Sequence, residues 1–191
     1  MTVRLVATIG DPILREWALP VDPAALDAAE TQALIDDLIE TMRYYQGAGL
    51  AAPQIMVPMR IASIEVHANR RYPYKPDIPL TILINPEIES LSDETFANNE
   101  GCLSVPGLRG VTNRLVEIGV RALDRDGRQW EREVRGLSAV TFQHEIDHLN
   151  GTVFVDRVQD PSTFATWEQF ERFQRDEFTA RAQQLVARFG A

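Results

Sequence analysis

An α+β fold is what this sequence predicts: small mixed or antiparallel sheets packed around a central helix, with a long helix at the C-terminal end. Short strand-like runs open the chain, helical periodicity appears at three separated places, and two strand-like runs meet around a tight turn in the middle. That order is unlike the regular strand–helix alternation of a parallel sheet. With 191 residues, 45% of them hydrophobic and 25% charged, the chain suits one domain spanning 1–191.

Residues 3–9 (VRLVATI) read as a first short strand, followed by the turn GDP. Residues 24–45 read as a helix, because Leu26, Ala29, Ala33, Leu34, Leu38, Met42 and Tyr45 recur at threes and fours with acids on the other face. QGAGLAAPQ then ends it, since Gly47 and Gly49 are poor helix residues. RIASIEV (60–66) and LTILINPEI (80–88) read as strands flanking the Pro-rich loop RRYPYKPDIP (70–79). LVEIGVRALD (115–124) and RQWEREV (128–134) pair as a hairpin around Asp126-Gly127. Residues 137–150 read as the central helix, which Asn150-Gly151 stops. Within 160–191, residues 161–189 read as one last long helix, with Phe164, Trp167, Phe170, Phe178 and Leu185 along a stripe. Neither an internal repeat nor a low-complexity tail is present.

The formal net charge of −9 argues against bulk attraction to DNA or an anionic membrane. No apolar run approaches the ~20 residues that span a bilayer. The N-terminal stretch is soon broken by Asp11-Pro12 and charge, so it does not read as a secretion signal. Cys102 is the only cysteine, which excludes an intrachain disulfide and suits a reducing cytoplasm.

Chemistry concentrates in FQHEIDHLNG (142–151), which holds two of the three histidines in the chain. His144 and His148 stand four apart, so on a helix both imidazoles can bind one cation while Glu145 leans toward the same site. A catalytic metal needs a third protein ligand and an open position. A further histidine six residues on is absent, because position 154 is Phe. His67 lies in a strand-like stretch, where a lone imidazole is ordinarily a surface residue. Glu168 and Glu171 lie on the charged face of the final helix, where an acid is ordinarily solvated. Cys102 lies in NNEGCLSVPG, before the turn-prone Pro106-Gly107, and its thiolate would bind a divalent transition metal strongly.

GAGLAAPQ (47–54), EGCLS (100–104) and QHEIDHLNG (143–151), in that order, resemble the three signature motifs of the peptide deformylases. GDPILREWALPV, LINPEI and VPGLRG resemble that family's flanking text, and the likeness covers roughly residues 3–158. It implies one deformylase-like catalytic domain that removes the N-formyl group from formylmethionine at the start of new polypeptides and releases formate. By resemblance the metal ligands are Cys102, His144 and His148, and the ion is ferrous in the cell, with zinc, nickel or cobalt able to substitute. Such an ion lowers the pKa of a bound water. Glu145 is then the proton carrier. The Gln54 amide and the Leu103 backbone N–H are donors to the developing oxyanion, and Gly49, with Gly47, lets the backbone approach the substrate closely.

The methionine side chain needs an apolar pocket, expected from Ala48, Asn98, Leu137, Val140 and Thr141 with His144 at its base. Arg109 is either a partner for the peptide backbone or a solvated loop residue, and Arg114 is placed to pair with Glu100 and brace the cysteine loop. Three positions depart from the family pattern: Ala48 replaces Ile or Val, Met56 a common glycine, and Asn98 an aliphatic residue. The final helix carries Arg172, Arg175, Arg181 and Arg188, so contact with ribosomal RNA competes with simple packing on the domain. One rival reading is a zinc peptidase that uses a final-helix glutamate and leaves Cys102 dispensable. Another is a non-catalytic module, which would have lost Glu145 or Gln54.

Overall fold

A computed structural model describes residues 2–67 and 74–190. Residues 3–9 form no strand, although they run alongside the chain: the Ala7 N–H donates to the Gln54 carbonyl at 2.8 Å and that of Ile9 to Ser104 at 2.7 Å. Val3, Leu5 and Ile9 stay exposed, so the segment has no apolar face to bury as a sheet strand would. Where one helix was expected over 24–45, a short 3-10 turn at Pro23–Ala25 precedes helix α1 at Ala29–Tyr44. The break has a local cause. Thr31 Oγ1 donates to the Ala25 carbonyl at 2.8 Å and Gln32 Nε2 to that of Leu26 at 2.9 Å, satisfying acceptors that a continuous helix would have used.

Strand β1 (Gly49–Ala51) follows, then a 3-10 turn over Ala52–Ile55, β2 (Ile61–Val66) and β3 (Ile78–Ser90). Of the expected loop over 70–79, residues 70–73 lie outside the described residues. β3 is irregular between Ile84 and Glu87, where Pro86 has no N–H to pair and Asn85 adopts a left-handed backbone. Asn85 is held there by two 2.8 Å bonds with the Val21 backbone. Next come β4 (Thr95–Cys102), β5 (Val105–Leu115), β6 (Glu117–Leu123) and β7 (Gln129–Arg135). β6 and β7 form the expected hairpin, with Asp124 accepting from the backbone of Asp126 and Arg128 at 2.9 Å.

The central helix α2 runs Gly136–Leu149 and is buried on almost every side. Gly151 closes it at φ +69, and a β-carbon there would meet the Arg15 carbonyl oxygen at 2.6 Å. The expected last helix over 161–189 is instead four pieces: a 3-10 turn at Pro161–Thr163, β8 (Ala165–Thr166), α3 (Trp167–Phe173) and α4 (Arg175–Phe189). β8 pairs with β5, and the Thr166 hydroxyl then caps α3, so no α-helix can run through residues 165–166.

Among the described residues the strands form two antiparallel sheets, ordered β1-β2-β3-β6-β7 and β4-β5-β8. One face of the larger sheet meets α1 through Leu34, Ile35, Leu38, Met42, Ile61 and Ile84. The other meets α2 through Ile64, Ile118, Val120, Phe142, Ile146 and Leu149. Each such side chain contributes about 1.5–3 kcal/mol by leaving water. α2 is thereby clamped between the larger sheet and the β4–β5 hairpin, the α+β arrangement the sequence predicts.

Candidate metal centre and active site

His144 and His148 lie one turn apart on α2, and Cys102 ends β4 directly opposite. Cys102 Sγ stands 3.2 Å from His148 Nε2, and one donor atom from each of the three residues lies within 4.8 Å of the others. Two atoms bound at 2.3 Å (sulfur) and 2.0–2.1 Å (nitrogen) to a tetrahedral ion stand about 3.5 Å apart, so this donor set fits a transition metal. Burial opposes a thiolate at Cys102, yet the adjacent imidazoles outweigh it and hold the thiol well below its ordinary range. The Nδ1 of His144 meets the Glu100 carboxylate at 2.8 Å, which leaves Nε2 facing Cys102.

Glu100 is itself fixed by Arg114 at 2.7 and 3.0 Å, and Arg114 reaches on to Asp147 at 2.6 Å. The expected pairing of Arg114 with Glu100 is therefore present, and it ties the cysteine strand to the histidine helix. Burial would raise the Glu100 carboxyl, but Arg114 and His144 outweigh it and hold the group well below the usual carboxylate range.

Beside the cluster, the Glu145 carboxylate is buried, and Oε2 has no hydrogen-bond partner among the described residues. Burial pushes this carboxyl upward, against the pull of His144 and His148. A β-carbon on Gly49 would lie 2.3 Å from Glu145 Oε1, so the glycine is what gives this carboxylate its place. Gln54 Oε1 accepts from the Ala51 N–H at 2.8 Å, which aims Nε2 at Ser104 Oγ (3.1 Å) and Cys102 Sγ (3.5 Å).

The profile of the family described as polypeptide deformylase matches residues 3–164. The chain belongs to the polypeptide deformylase family. Peptide deformylase 1 of Bordetella pertussis is 45% identical over 166 residues, 87% of this chain and 93% of that one. Peptide deformylase 1 of Prochlorococcus marinus is 42% identical over 172 residues, covering 90% and 88%. A Met-Ala-Ser-bound class I type b peptide deformylase from Acinetobacter baumannii superposes with a TM-score of 0.79 at 38% identity, covering 82% of this chain and 99% of that one. A deformylase from Legionella pneumophila, with a TM-score of 0.74 at 35% identity, covers 98% and 99%. Deformylases are metal-dependent hydrolases that remove the N-formyl group from nascent peptides, and that is the activity of this chain.

The other residues offered as a third ligand lie apart from this deformylase centre. His67 is exposed and meets Asp77 at 3.3 Å, Glu168 is exposed, and Glu171 pairs with Arg175. A cavity of about 550 Å³, counting its open mouth, adjoins the cluster, and its wall includes Ala48, Gly49, Asn98, Leu103, Arg109, Val140, Thr141 and Glu145. Leu137 is buried outside that wall, two helical turns before His144. Arg109 is no solvated loop residue: 1% exposed, it bonds the Asn99 carbonyl at 2.8 Å and stacks on Trp167 and Phe170 at 4.8 and 4.3 Å. The reversal expected at Pro106-Gly107 falls at 103–104 instead. Cys102 pairs with Val105 but Gly101 with Arg109, so Pro106, which lacks an N–H, sits in the unpaired part of β5. Sequence reasoning misses Lys75 and Asn99 in the cavity wall. Lys75 stands in a Pro-rich stretch that reads only as a loop, and the polar character of β4 hides Asn99.

Proposed function

We propose that Cys102, His144 and His148 hold one divalent ion, ferrous in the cell, and that Glu145 moves the proton in hydrolysis of formylmethionyl peptides. The convergence of one sulfur and two ring nitrogens beside a buried, partnerless carboxylate oxygen carries this reading. A divalent ion held there lowers the pKa of water toward neutrality and polarises a carbonyl. Glu145 takes the proton of the attacking water and returns it to the departing nitrogen, and its raised pKa keeps it competent for both transfers. Gln54 Nε2 and the Leu103 N–H, flanking Cys102, donate to the oxygen that becomes negative. Glu100 holds the proton on His144 Nδ1, so Nε2 offers its lone pair. Arg109 Nη1, buried and without a partner among the described residues, is the donor for a peptide carbonyl beyond the first residue.

The chain acts in this reading as one catalytic domain over 1–191, in the cytoplasm, where a lone thiol stays reduced. Among the described residues no helix is long and apolar enough to cross a membrane. The final helix is assigned to packing rather than to ribosomal RNA, because Arg175 pairs with Glu171 and Arg188 with Glu94. A thiolate and two imidazoles also accept zinc, nickel or cobalt, and thiolate-bound iron is exposed to oxidation, so an aerobic preparation carries one of those substitutes. The test is Cys102→Ala, prepared anaerobically. Metal per chain and turnover of formyl-Met-Ala should fall together, and unchanged metal stoichiometry would reject the ligand set.

A further inference from the structure

A second hollow of about 630 Å³, counting its open mouth, adjoins the cavity beside the metal ligands. The two share Gly101 and Leu103, so the second is continuous with the reacting site. No residue of α2 lines it, whereas Val140, Thr141, His144 and Glu145 line the first. Its wall is apolar: Leu103, Val105, Pro106 and Leu108 come from the β4–β5 reversal, Tyr45 from the end of α1 and Trp167 from the start of α3. Among the described residues no charged side chain lines it. Trp167 reaches this place through backbone pairing. Leu108 stands opposite Thr166 and Arg109 opposite Ala165, which brings the next residue, Trp167, beside the reversal. Gly110 makes room for that pairing, since a β-carbon there would meet the Phe164 ring at 2.9 Å. Trp167 also lies outside the span that matches the family.

β4 is an edge of its sheet, so an extended peptide can lie along its 101–103 end. Side chains of an extended chain alternate, so a formyl peptide with its first side chain turned toward α2 sends its second the other way. The second hollow lies on that side. An apolar side chain seated among Tyr45, Leu103 and Trp167 leaves water without stranding a polar group. A carboxylate there would lose water with no cation in the wall.

We infer that Trp167 is a specificity-determining residue which, with Tyr45 and Leu103, selects formylmethionyl peptides whose second side chain is large and apolar, aromatic above all. This rests on the reading of Cys102, His144 and His148 as the reacting centre. The formylmethionine stays in the first cavity, and the second residue seats its ring against Trp167.

The test compares kcat/KM of metal-loaded wild type, Trp167→Ala and Tyr45→Ser on formyl-Met-Phe-Ser, formyl-Met-Ala-Ser and formyl-Met-Ala-Phe. Wild type should favour phenylalanine over alanine at the second position by ~10-fold, the worth of burying most of one apolar side chain, and mainly through KM. Both substitutions should bring that ratio toward one. Tyr45 stands on a different element, so its variant tests the hollow independently of α3. Trp167 also stacks on Arg109 at 4.8 Å, and a residue that merely braced Arg109 would serve every peptide backbone alike. Turnover of all three peptides would then fall together in Trp167→Ala with the ratio intact, which overturns the inference. So does a wild type without preference at the second position, or one that favours formyl-Met-Ala-Phe over formyl-Met-Phe-Ser. Calorimetric binding of the products Met-Phe-Ser and Met-Ala-Ser separates the hollow from the chemistry. If no formyl peptide is turned over but Met-Phe-Ser binds wild type ~10-fold tighter and loses that advantage in Trp167→Ala, the hollow's assignment stands and the reacting centre is wrong. Equal binding of the two products to wild type overturns that assignment whatever the turnover.

Discussion

At Gly49 a β-carbon would stand 2.3 Å from one Glu145 oxygen and 2.5 Å from the carboxylate carbon. The backbone there is ordinary strand, so the demand for glycine is one of space alone. Gly49→Ala should therefore fold and keep its metal while displacing the proton carrier, with turnover falling by at least ~10². Turnover and metal content on one preparation check this, and near-normal turnover would show that the carboxylate is not where the reaction needs it.

Among the elements, β4 and β5 are where sequence reading fails, and the reason is physical. Strand detection relies on apolar alternation, whereas β4 buries Asn98, Asn99 and Glu100 in succession. Asn99 and Glu100 are satisfied by β5, through Arg109 to Asn99 and through Thr112 and Arg114 to Glu100. α2 was legible for the opposite reason: its apolar period is intact and both histidines fall at helical spacing. Removing Arg114 should expose how much the buried network holds together. Arg114→Ala leaves Glu100 and Asp147 buried without their shared cation, and denaturant melts should show a loss of about 3–5 kcal/mol. The partly exposed Arg43–Glu65 pair serves as control, since Arg43→Ala should cost no more than ~1 kcal/mol. Equal effects would mean the buried network carries no special stability.

Across the whole molecule, the site is assembled from β1, the turn after it, β4 and α2, and the C-terminal pieces pack behind two residues of its cavity wall, Arg109 and Tyr74. Trp167 and Phe170 stack on Arg109, and Phe178 supports the segment that carries Lys75. The aromatic stripe was visible in the sequence, but the break before Trp167 was not, because it follows from pairing of β8 with a distant strand. A chain ending at 164 should keep one metal per chain, if circular dichroism shows it folded, while KM for peptide substrates rises about tenfold. An unchanged KM would make α3 and α4 an appendage. The central claim is that metal binding belongs to Cys102, His144 and His148 and proton transfer to Glu145. Glu145→Gln keeps the side chain's shape and removes its basicity, so turnover of formyl-Met-Ala by this variant at a verified one metal per chain tests the claim most directly. The account predicts a fall of at least ~10²–10⁴ with metal content unchanged. Near-normal turnover, or loss of the metal, would contradict it.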